Sequence, residues 1–167
     1  MAGTLHLVCG KIAAGKSTLC ARLAAAPGTV LIEEDRWTRT LFGEEMREVA
    51  DYVRVSARLR AAMGPHVTAL LEAGIDVALD FPANTIATRA FWRAAAEAAG
   101  ARAILHLIDL PDDVCRARLH ARNAEGLHDF AGVTDAQFDQ ITAFFQPPGE
   151  DEGLAVVRDR TAPAEGG

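Results

Sequence analysis

Several things are scarce in this chain of 167 residues. Cysteine occurs three times, as Cys9, Cys20 and Cys115, far apart and without any C-x-x-C spacing. That excludes a disulfide framework and a cysteine-based metal site, and leaves reduced, apolar thiols. No run of about 18 apolar residues occurs, and the N-terminus lacks a charged segment followed by a long apolar one, so the expectation is a cytoplasmic protein with no membrane segment. Basic charge is also short: 17 Lys and Arg stand against 23 Asp and Glu, a formal net charge of −6. A protein that holds a long polyanion usually carries a basic surface, so nucleic acid is disfavoured as the main partner. One small anion needs only a few arginines. The five histidines show no metal-ligand spacing.

What is present is a 50% hydrophobic chain of a length that suits one domain, residues 1–167. Short apolar runs alternate with helical patterns. Strands are predicted at Thr4–Cys9, over "TVLIEED" (29–35), at Ile75–Asp80, over "ARAILHLIDL" (101–110) and over "LAVVR" (154–158). Helices are predicted over "KSTLCARLAAA", over Asp51–Ala73 with a bend at Gly64-Pro65, over 84–100 with Asn84 or Thr85 as cap, over 111–123, and over 134–145 with Thr134 as cap. "RWTRTLFGEE" reads as a short helix or loop, Phe144 and Phe145 as core, and 158–167 as a flexible tail. Nearly continuous apolar strands between helices indicate an α/β protein with a parallel sheet covered on both faces.

The segment "GKIAAGKS", Gly10 to Ser17, matches G-x-x-x-x-G-K-[ST] at every fixed position. A strand precedes it and a helix follows. Gly10 and Gly15 let the backbone curl so that successive N–H groups face one anion, and the helix N-terminus adds partial positive charge. Lys16 can reach the β- and γ-phosphates, and Ser17 can offer its hydroxyl to Mg²⁺. The nucleotide-binding set is Gly10, Lys11, Ala13, Ala14, Gly15, Lys16, Ser17 and Thr18, with ATP and Mg²⁺ as the implied cofactors.

Carboxylates stand at the ends of two predicted strands. Glu33, Glu34 and Asp35 close the second, and Asp35 is the best placed to accept a proton from an acceptor hydroxyl. Asp80 closes the third, where it either holds Mg²⁺ or binds the acceptor. The residue after Asp80 is Phe81, where a motor ATPase needs a carboxylate to activate water. Arg116, Arg118 and Arg122 lie on the helix that precedes a glycine-containing loop, the layout of a lid over about 116–134. Arg118 and Arg122 are expected to neutralise the transferring phosphoryl group. Arg36, Arg39 and Arg89 are candidates for binding the acceptor, and Trp37 for a cleft wall.

Taken in order, "GKIAAGKST", "EEDRW", "VALDFPANTIATRAFWR", "CRARLHARN" and "VTDAQFDQITAFFQPPGEDEG" resemble the small P-loop kinases related to polynucleotide kinase, the zeta toxins and chloramphenicol phosphotransferase, and most of all the short proteins of this group labelled AAA-family ATPases. The resemblance spans about Leu5 to Val157. It implies a three-layer P-loop NTPase fold, a five-stranded parallel sheet of order 2-3-1-4-5 and a helical lid. It further implies Asp35 as base, Asp80 near the metal or acceptor, Arg89 at the acceptor, and Arg118 and Arg122 in the lid. The expected activity is ATP-dependent transfer of the γ-phosphoryl group to a small-molecule hydroxyl. The alternatives are a polynucleotide 5′-hydroxyl kinase and a nucleotide-binding switch or NTPase that acts through a protein partner.

Overall fold

The computed structural model describes residues 1–126 and 133–159. Five strands, β1 (Thr4–Cys9), β2 (Thr29–Glu33), β3 (Asp76–Pro82), β4 (Arg102–Ile108) and β5 (Ala155–Asp159), form one sheet of order β2-β3-β1-β4-β5. Every pairing is parallel. Among the described residues, six α-helices connect them: α1 (Lys16–Ala24), α2 (Glu34–Phe42), α3 (Val49–Glu72), α4 (Ile86–Ala98), α5 (Asp112–Ala124) and α6 (Asp135–Thr142). The order is the one the family resemblance implies, and the parallel direction is the one the strand pattern predicts.

Alternation along each strand sends side chains to two cores. Leu5, Leu7 and Cys9 of β1, with Val77, Leu79 and Phe81 of β3, pack against Leu59, Val67 and Leu71 of α3 and Trp92 of α4. Val8 and Ile108 face the opposite layer, where Leu19 and Cys20 of α1, Cys115 and Leu119 of α5 and Phe138 of α6 meet. All three cysteines are buried and free. Both faces of the sheet are therefore covered, which leaves the C-terminal ends of the strands as the place for a ligand.

Several boundaries differ from expectation. The chain turns helical at Glu34 rather than after Asp35, so Asp35 sits in the first turn of α2. Strand β3 continues two residues past Asp80, and its register with β1 breaks between Leu7 and Val8, where Val8 pairs with Pro82. Helix α3 passes through Pro65 without interruption. Gly64 lies close against Phe91, since a Cβ there would meet its Cζ at 2.9 Å. Thr85, not Asn84, caps α4, its side chain accepting from the N–H of Thr88. Arg158 and Asp159 belong to β5 and not to a tail, while residues 160–167 lie outside the described residues. So do 127–132 of the expected lid, including His128. Phe144 is no core residue: it is 70% exposed, and only Phe145 packs on the core. Among the described residues, no helix is long and apolar enough to cross a membrane.

Candidate active site

The loop between β1 and α1 takes its shape from two residues with positive φ, Gly15 at 101° and Ala13 at 61°. Gly10 has a different reason to be glycine: an added Cβ would come within 3.1 Å of the Ile108 carbonyl oxygen and 3.2 Å of the Ala14 Cβ. Lys16 opens α1 and folds back over the loop. Its Nζ donates to the carbonyl oxygens of Gly10 at 2.7 Å and Lys11 at 2.8 Å. Burial lowers its pKa, and the charge of Asp80 opposes that shift. The ammonium thus lies where an anion would be met, held by two carbonyls.

Asp80, in β3, is paired in register with Glu33 at the end of β2. Burial pushes its carboxyl above the usual range; a hydrogen bond from Ser17 and the charge of Lys16 pull the other way, while Asp35 and Glu33 push it further up. Ser17, Lys16, Asp35 and Asp80 therefore share one electrostatic neighbourhood. The donor set around Asp80 and Ser17 consists of hard oxygens, which suits Mg²⁺. The next residue, Phe81, is buried and meets Trp92 edge-on at 5.4 Å between ring centroids. It belongs to the core and carries no water-activating group.

Helix α5 brings Arg118 to the rim of the loop, its Nη1 donating to the Ala14 carbonyl oxygen at 3.5 Å. Arg122 is close enough for its charge to depress the pKa of Lys16. Arg116 points elsewhere. It is ion-paired with Asp135 and Asp139 of α6 and lies over the Phe138 ring, 4.5 Å from its centroid. Lys11 is ion-paired with Asp112 at the start of α5. Thr18 is exposed on α1.

Arg89, expected at the acceptor, is engaged within the protein instead. It is fully buried, and its Nε and Nη2 donate to the two carboxylate oxygens of Glu152 at 2.6 and 2.8 Å. Its Nη1 donates to the carbonyls of Ala83 and Gln146 at 3.0 and 2.9 Å. A guanidinium sealed in the interior needs a carboxylate beside it, and the segment before β5 supplies one. Of the other two acceptor candidates, Arg36 is 80% exposed at its side chain and lies 3.8 Å from Glu33, and Arg39 is exposed on α2. Trp37 is also exposed on that helix, at 40%.

Two residues gain importance that the sequence did not suggest. Glu34 is buried, and its Oε2 accepts from the Tyr52 hydroxyl at 2.7 Å. Burial raises its carboxyl pKa, and the Tyr52 bond opposes the rise. This contact ties the first turn of α2, where Asp35 sits, to α3. Asn84 grips the phosphate loop: its Oδ1 accepts from the Gly10 N–H and its Nδ2 donates to the Gly10 carbonyl, both at 2.9 Å. The dipeptide Asn84-Thr85 offered two caps for one helix, and the spare one was the only available signal.

The family comparison matches residues 5–148 to AAA_33, described as an AAA domain. No curated protein sequence matches significantly. Among solved structures, Chaetomium thermophilum Kti12 in complex with ADP-AlF3 is similar with a TM-score of 0.70 at 18% identity, over 96% of this chain and 92% of that one. Mycobacterium tuberculosis APS kinase CysC, in complex with AMPPNP and APS, gives 0.62 at 20% identity, over 96% and 91%. A gluconokinase from Sinorhizobium meliloti gives 0.61 at 17% identity, over 96% and 84%. At these identities the likeness is one of fold alone. With its G-x-x-x-x-G-K-S loop set between β1 and α1 of a 2-3-1-4-5 sheet, and a match over most of its length, the chain belongs to the AAA_33 family.

Proposed function

We propose that this protein is a kinase that transfers the γ-phosphoryl group of ATP to a hydroxyl of a small molecule. The observation that carries this reading is the grouping of Lys16, Ser17, Asp80 and Asp35 at the C-terminal ends of β1, β2 and β3, with Phe81 where an ATPase would place a second acid. Phosphoryl transfer needs positioning and charge stabilisation more than covalent chemistry by the protein. Backbone N–H groups of the loop would hold the phosphates. Lys16 would leave its two carbonyl partners for the β- and γ-oxygens. Asp35 would orient the acceptor and take its proton as the acceptor oxygen bonds to phosphorus and the bond to the β-phosphate oxygen breaks. Arg118 and Arg122 would offset charge on the moving group. Ser17 and Asp80 would hold Mg²⁺, which when bound neutralises charge on the phosphate oxygens.

The similar structures include an APS kinase and a gluconokinase, which supports a small hydroxyl acceptor. The net charge of −6 disfavours a polynucleotide end. The test is incubation with γ-labelled ATP, magnesium and a panel of sugars, nucleosides, hydroxylated antibiotics and 5′-hydroxyl oligonucleotides. Label on a small alcohol supports the reading. Label only on oligonucleotides, or only inorganic phosphate released at a rate no alcohol alters, contradicts it.

A further inference from the structure

Lys16 in this structure is bound to two carbonyl oxygens that it must release before it can reach a phosphate. A carbonyl left without a donor in a buried place is costly. Each of the two has a second donor. The Lys11 oxygen also accepts from the Ala14 N–H at 3.1 Å. The Gly10 oxygen also accepts from Asn84 Nδ2 at 2.9 Å. From this we infer that Asn84 is a positioning residue for nucleotide binding: it keeps the Gly10 carbonyl satisfied when Lys16 departs, and so frees the lysine for the phosphates. The inference rests on the nucleotide-binding reading above and assigns a residue that acts through Gly10 and not on the ligand.

The grip is two-sided. Asn84 Oδ1 accepts from the Gly10 N–H, so one side chain fixes the peptide planes before and after Gly10. Gly10 has no room to shift toward β4, since even a Cβ would crowd Ile108 and Ala14. Asn84 is braced in turn. Its backbone carbonyl accepts from the Gln146 N–H at 2.8 Å, and Gln146 Oε1 accepts from the Ile86 N–H at 2.8 Å. Arg89 holds the Gln146 carbonyl at 2.9 Å and is itself anchored by Glu152. A line of contacts thus runs from Glu152 through Arg89, Gln146 and Asn84 to the first glycine of the phosphate loop. This accounts for a buried arginine beside the site that touches no acceptor.

The test is titration of the full chain with mant-ATP and magnesium. In Asn84→Ala the Gly10 carbonyl depends on Lys16 alone, and the Kd is expected to rise about tenfold, the cost of leaving a buried carbonyl without a donor when the lysine departs. In ATP turnover, KM should rise by a similar factor while kcat stays within about twofold. Asn84→Asp keeps the acceptor for the Gly10 N–H, loses the donor, and should weaken binding at least as much; it gives the same reading if Asn84→Ala does not fold. Thr85→Ala is the control. It removes the cap of α4 and lowers thermal stability, yet should leave the Kd within about twofold. If both Asn84 variants bind mant-ATP as tightly as the wild type, or if Thr85→Ala weakens binding as much as they do, the positioning role is wrong. If the wild type itself binds no nucleotide, the functional reading above fails along with it.

Discussion

Arg89 and Glu152 form a two-pronged ion pair, Nε to Oε2 at 2.6 Å and Nη2 to Oε1 at 2.8 Å, that fastens the segment before β5 onto the N-terminal half of α4. The pair lowers the Glu152 carboxyl pKa. Its guanidinium is wholly buried, so its loss strands a carboxylate and the Ala83 and Gln146 carbonyls together. Arg89→Ala is expected to cost about 3 kcal/mol or more, a fall in melting temperature on the order of 10 °C. A surface arginine that bound only a substrate would leave the melting temperature within a degree or two, and thermal denaturation separates the two cases.

Ala13 holds φ at 61°, a left-handed conformation that glycine adopts freely and alanine does not. Ala13→Gly should therefore stabilise the fold by roughly 0.5–1 kcal/mol, seen as a melting temperature about 2 °C higher. A lower melting temperature would mean that the alanine methyl contributes more in packing than its backbone strain costs.

His6 and His106 lie on neighbouring strands with Nδ1 and Nε2 3.0 Å apart. Burial lowers both pKa values, that of His106 to about 4, with Asp76 facing His6 and Asp159 facing His106 as the opposing charges. The unfolded chain takes up a proton near the ordinary histidine value of 6.5, whereas the folded chain keeps His106 neutral down to about 4. Between those limits the unfolded state binds more protons, so stability falls as the pH falls. The melting temperature should decline as the pH is lowered from about 6.5 toward 4, and less steeply in His106→Gln. An equal slope in the variant would remove the pair as the cause.

Much of this molecule was legible from its residues. Apolar strands between helical patterns gave the parallel sheet, and the G-x-x-x-x-G-K-S spacing located the loop, because both depend on local rules of period and backbone geometry. Lys16, Ser17, Asp35 and Asp80 come near one another because the strand ends meet at one edge of the sheet. Tertiary partners were not legible. Arg89 lies 63 residues from Glu152, and nothing near either residue marks it as buried. Asn84 looks like a helix cap until Gly10, 74 residues away, is seen to occupy its side chain. Phe144 reads as apolar and therefore internal, but α6 ends before it and leaves it outside. Glu34 reads as one of three acids at a strand end, with Asp35 the best placed of them; the onset of α2 turns Glu34 inward to Tyr52 and leaves Asp35 outward.

The assignment of Asp35 as the proton acceptor is the centre of the mechanism. Asp35→Ala should bind ATP with a Kd within about twofold of the wild type, because the donor half of the site is built from other residues. Transfer of label from γ-labelled ATP to the acceptor found in the panel should fall by about 10²–10⁴-fold, the usual weight of a positioned general base. Transfer at the wild-type rate by Asp35→Ala would contradict the account.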